Sequence, residues 1–207
     1  MRQSLFSGAL VLLVASQMMA AVVTNISTGQ TDPDSIWTIT AGGSGQARVI
    51  TNPITIANAG PWVNPPAGSA WVSTTTANTL GAVTYSLETS FDLGPALGVL
   101  EYRALADNEL RVYVDNVLNF TFIGLVAGDF STLPALQTVN LAAGFHTVRL
   151  DVTNVSSFSG VLLSGTVTSD VPEPSTFGGA GLALAMAAWW KRRKSFAEGQ
   201  SVLTLRS

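Results

Sequence analysis

Between residues 22 and 170, apolar and polar side chains alternate with a period of two, which commits this stretch to β-strands with one buried face. Val83-Thr-Tyr-Ser-Leu-Glu-Thr-Ser-Phe91 alternates throughout, and so does Glu109-Leu-Arg-Val-Tyr-Val114. Asp115-Asn116 then separates that run from Val117-Leu-Asn-Phe-Thr-Phe122. Asp and Asn both tolerate positive φ, so the pair predicts a tight hairpin. Further strands are predicted at His146–Asn154 and Gly160–Thr168, with shorter ones at Val22–Ser27, Ile36–Thr40, Ala47–Ile50, Ala70–Thr74 and Leu100–Ala104. No part of 22–170 carries a helical period. Many short strands punctuated by Gly, Pro, Asn and Asp predict an all-β fold, an antiparallel β-sandwich of jelly-roll type. The chain has no cysteine, so stability must come from a core, and about 150 residues are enough to enclose one.

The two ends have a different character. Met1-Arg2 precedes an almost continuously apolar run, Leu5–Ala15, followed by Met18-Met19-Ala20-Ala21. A basic start, a short apolar stretch and small residues at its end make a secretory signal peptide over 1–21, cleaved near Ala20 or Ala21; an uncleaved anchor is the alternative. At the other end, Val171-Pro172-Glu173-Pro174-Ser175 leads into an apolar run, Phe177–Trp190, and then Lys191-Arg192-Arg193-Lys194. Counted from Ser175, the 16 residues to Trp190 reach roughly 24 Å as a helix, a short span for a bilayer core of about 30 Å. Trp189 and Trp190 suit the lipid–water boundary, and the four cations act as a basic stop-transfer block. A core helix would not end in four consecutive cations. The expected organisation is therefore a signal peptide (1–21), an extracytoplasmic domain (22–170), a tripartite C-terminal signal with a transmembrane helix (171–194) and a cytoplasmic tail (195–207).

The order Val171-Pro-Glu-Pro-Ser175, apolar helix and basic cluster resembles the PEP-CTERM sorting signal of Gram-negative bacteria that make exopolysaccharide. The resemblance implies that an exosortase, a membrane-embedded protease, recognises Pro172, Glu173 and Pro174 and cleaves nearby. Two prolines hold the backbone extended and present one carboxylate, as a protease groove requires. The tail Ser195–Ser207 departs from that pattern, in which the basic cluster stands close to the terminus. Asp32-Pro-Asp-Ser-Ile-Trp37, Ala106-Asp107-Asn108 with Val112-Tyr-Val-Asp-Asn116, and Gly144–Asn154 with Gly160-Val-Leu-Leu-Ser-Gly165 are similar to jelly-roll domains of PEP-CTERM proteins, related to galactose-binding-like domains. Related domains often bind sugars, sometimes with a structural calcium. The implied location is the inner membrane before processing, then the envelope, cell surface or biofilm matrix.

Residues 22–170 contain no lysine and four arginines against eleven acids, a net charge of −7. Such a surface repels nucleic acid. The single histidine, His146, opens a predicted strand and has no second imidazole for a triad or a histidine-based metal site. Glu101, Asp107, Glu109 and Asp129 are the acids nearest to a glycosidase pair, but turns and solvated strand faces account for each. Gly42-Gly43-Ser44-Gly45 lacks the lysine of a phosphate loop. The chain reads as non-enzymatic, with no cofactor motif. For binding, Trp62 in its Gly- and Pro-rich loop is the candidate platform for a sugar ring, or else an anchor tucked against the sandwich. Asp107 and Asn108 are candidate partners for sugar hydroxyls, although a turn role fits first. Asp32 and Asp34 offer oxygen ligands to calcium, or simply form a turn. Trp37 and Trp71 fall within strands and are assigned to the core. Polysaccharide and the exosortase are the expected partners. A structural or adhesive module without a small ligand is the alternative reading, and an exported carbohydrate-active enzyme a more distant one.

Overall fold

The alternating runs form two antiparallel sheets. In the computed structural model, residues 19–58, 60–155, 157–172 and 186 are described. The expected signal peptide up to residue 18, the motif from Glu173 to Ser175, the apolar run apart from Met186, the Lys191–Lys194 block and the 195–207 tail lie outside the described residues. Ala21–Asp170 make one compact unit.

The first sheet contains β1 (Met19–Asn25), β3 (Arg48–Val49), β4 (Val72–Ser73), β6 (Gly98–Asp107), β9 (Gln137–Leu141) and β11 (Gly160–Pro172). Its order is β3-β4-β11-β6-β9, with β1 also on β11. The second sheet runs β2-β5-β10-β7-β8, from β2 (Thr38–Ala41), β5 (Val83–Asp92), β10 (Phe145–Asn154), β7 (Glu109–Val114) and β8 (Val117–Ile123). From β4 onward, the orders β4-β11-β6-β9 and β5-β10-β7-β8 are those of a jelly roll. The Asp115-Asn116 hairpin forms as expected, with φ of 51° and 64°, and joins β7 to β8. β9 was not among the expected strands. It has five residues, pairs on one side only with β6, and follows a Pro134-containing segment that reads as loop.

Between the sheets, Tyr85 and Leu87 of β5 and Leu150 and Val152 of β10 pack with Leu100, Tyr102 and Ala104 of β6 and Leu163 of β11. All of these are fully buried, as the period of two requires. A second, smaller core includes Leu105 and Leu162 with Ile50, Trp62, Trp71 and Phe130. Consequently β6 is buried at every position from Ala104 to Asp107, yet it exposes Glu101 and Arg103. Two single 3-10 turns, Ile56–Asn58 and Ala127–Phe130, are the helical elements among the described residues of 22–170. No helix among the described residues is long and apolar enough to cross a membrane.

Candidate functional site

The proline-flanked loop carrying Trp62 folds inward. Trp62 is 0% exposed and stacks on Trp71, with ring centroids 4.3 Å apart and planes 25° apart. Its indole N–H donates to Asp107 Oδ2 at 3.0 Å. Gly160 makes this approach feasible, since a Cβ there would lie 2.8 Å from Trp62 Cη2. No ring face remains for a sugar, so the platform reading of Trp62 is corrected: it is a core anchor. Asp107 is buried too, and desolvation pushes its carboxyl above the usual range while the Trp62 N–H partly counteracts this. Asn108 is engaged with neighbouring chain. Its backbone N–H donates to Thr153 O at 3.2 Å, its carbonyl accepts from Gly124 N at 2.8 Å, and its Oδ1 accepts from Val155 N at 2.9 Å. The structure therefore joins Trp62 and Asp107, but as a buried brace at the end of β6.

The two aspartates proposed for calcium serve separate partners. Asp32 pairs with Arg48, whose Nε and Nη2 lie 2.8 and 3.2 Å from its oxygens, and accepts from Val49 N at 3.2 Å. The Arg48 hydrogen bond holds this carboxyl below the usual range. Asp34 is 0% exposed; its Oδ2 accepts from Gly29 N at 2.5 Å and its Oδ1 from Ile36 N at 3.1 Å. Burial raises its pKa, and the backbone donors offset only part of that rise. These contacts fix the turn before β2, so the turn reading replaces the calcium pair. Among the described residues no group of three or more His, Cys, Asp or Glu is arranged to hold a metal.

His146 is buried, with Nδ1 2.7 Å from Asp115 Oδ2 and Nε2 2.8 Å from Ala142 O. Both partners are acceptors, so the charged ring, with a proton on each nitrogen, satisfies both. Burial lowers the imidazole pKa, but the Asp115 carboxylate and the Ala142 carbonyl raise it more, and the net shift is upward. In that charged form the ring has no lone pair for general-base or metal chemistry. Glu109 is ion-paired with Arg111 at 2.7 Å. Asp129 accepts from Leu125 N and Val126 N at 2.8 and 3.0 Å, which lowers its pKa. Glu101 differs from these acids: it lies exposed on the outer face of the first sheet, beside Thr166 of β11 and Thr138 of β9 in register.

β11 ends at Pro172, so Val171 and Pro172 close a strand and Glu173, Pro174 and Ser175 follow it in the chain. Residues 170–194 match the PEP-CTERM protein-sorting motif. No curated protein matches the chain. Among solved structures, it is similar to a family 35 carbohydrate-binding module from an environmental isolate, at 13% identity and TM-score 0.37, covering 67% of this chain and 98% of that one. It is also similar to the CBM36-1 domain of a multidomain xylanase from the hindgut metagenome of Trinervitermes trinervoides, at 13% identity and TM-score 0.36, covering 74% and 100%. A third is a CBM36 module in complex with calcium and xylotriose, at 16% identity and TM-score 0.35, covering 70% and 99%.

Proposed function

We propose that this chain is an exported, exosortase-sorted surface or biofilm-matrix protein of a Gram-negative bacterium, non-enzymatic, whose β-sandwich binds polysaccharide. The observation that carries the sorting half is the PEP-CTERM motif at 170–194, which begins within the final three residues of the last strand, β11. In this reading residues 1–21 are removed on export, and the apolar run 177–190 with Lys191–Lys194 holds the precursor in the inner membrane. Exosortase then acts near Pro172-Glu173-Pro174. The absence of catalysis is supported by the commitments of His146, Asp107, Glu109 and Asp129 to folding contacts. Burial of Trp62 favours, as a second reading, a structural or adhesive module without a small ligand.

The sorting half is tested by Glu173→Ala in the producing cell. Uncleaved precursor should accumulate in the inner membrane, seen as a heavier band in the membrane fraction. Normal processing of that variant would defeat the motif's assigned role. Binding of the protein to a polysaccharide panel tests the other half.

A further inference from the structure

Four arginines face eleven acids between residues 22 and 170, so a cation without a carboxylate partner is conspicuous. Arg48 pairs with Asp32, Arg111 with Glu109, and Arg149 with Asp151, 4.3 Å above the Tyr113 ring. Among the described residues, Arg103 alone of these four has no ion pair; its one hydrogen bond is a long one, Nη1 to Pro134 O at 3.5 Å. It stands exposed on β6, two residues from Glu101 and on the same side of the strand.

Both side chains line a groove of about 320 Å³ on the outer face of the first sheet. Asn25, Ser164 and Thr166 add amide and hydroxyl groups, and Ala67 and Leu136 stand among the lining residues. The register places Arg103 beside Ser164 and Glu101 beside Thr166, so the polar groups form two rows on hydrogen-bonded strands. The groove's volume is at the lower end of small-ligand sites, about 300–1,000 Å³. Strand-borne groups are also held more precisely than loop-borne ones.

Resting on the polysaccharide-binding reading, we propose that this groove binds a carboxylate-bearing, uronic-acid polysaccharide, with Arg103 pairing the sugar carboxylate. The planar guanidinium fits a carboxylate through two parallel N–H donors. Residues i and i+2 of a strand stand roughly 6.5 Å apart, which sets Glu101 across a pyranuronate ring from Arg103. There its oxygens accept from ring hydroxyls, and Ser164, Thr166 and the Asn25 amide supply neutral partners. A neutral glycan would leave the guanidinium without its counter-charge. The net charge of −7 opposes a polyanion over the whole domain, so binding depends on the pair with Arg103 and is confined to the face that presents this cation.

The test uses full-length protein in detergent, with polygalacturonate, its carboxyl-reduced neutral counterpart and dextran sulfate as probes, by titration calorimetry. Saturable binding to polygalacturonate is expected. Arg103→Ala should weaken it by about tenfold or more, as loss of a charge-assisted pair does. Arg111→Ala removes the same charge from the other sheet and should leave affinity within about twofold of the parent. Thr166→Tyr fills the groove without changing charge and should also abolish binding. Equal losses in the two arginine variants, unchanged affinity in Arg103→Ala, or preference for dextran sulfate would each overturn the proposal. Binding of the neutral polymer alone would overturn this site's chemistry but leave polysaccharide binding standing. Absence of binding to every polysaccharide would remove both.

Discussion

At the scale of single residues, burial decides chemistry here. His146 holds an acceptor at each nitrogen, and its pKa in the folded protein is raised above 6.5. Protonation therefore favours the fold: the stabilising contribution is complete below pH 6.5 and is lost as pH rises through the folded-state pKa. Thermal melts from pH 6 upward should show a decline in Tm that His146→Gln flattens. A parallel decline in that variant would assign the effect to another group. Asp32 and Asp34 make a different prediction. Since Arg48 and backbone N–H groups already occupy them, EDTA should leave Tm unchanged. A calcium-dependent rise in Tm would restore them as ligands. The pairings of Asp32 and His146 cannot be read from the local phrases, because the partners Arg48 and Asp115 lie 16 and 31 positions away, whereas Asp34 takes its donors from nearby Gly29 and Ile36.

Among the elements, the β7–β8 hairpin and the loop over the first sheet show opposite degrees of legibility. The hairpin is local: two residues that accept positive φ stand between two alternating runs, and the chain turns there. Asn116→Val puts a β-branched side chain at a φ of 64° and should destabilise the domain by about 1–2 kcal/mol in urea denaturation. The loop is not local. Its Gly60-Pro61-Trp62 phrase admits both an exposed platform and an anchor, and Gly160, Trp71 and Asp107 select the anchor. Trp62→Ala should cost about 3–5 kcal/mol by the same measurement, because it empties a core site and strips Asp107 of its donor. A loss under about 1 kcal/mol would contradict the anchor assignment. β9 escaped expectation because its run is only five residues long, with Leu141 alone buried, and carries too little periodic signal.

Across the whole molecule, the chain combines a sandwich of high acidity with a terminal sorting motif, and the two halves are legible for different reasons. The motif and its flanking apolar and basic segments are contiguous, so residues 170–194 declare themselves without a fold. The period of two likewise determined the strand class and most strand positions, since side-chain alternation is a property of each strand alone. The charge balance that sets nucleic acid aside needs only the composition. Tertiary structure alone decided the strand order, the burial of Trp62 and the freedom of Arg103. Each depends on which distant residues meet: among the described residues Arg103 has no ion pair, its register partner on β11 being Ser164 and not an acid, and no local pattern encodes that meeting.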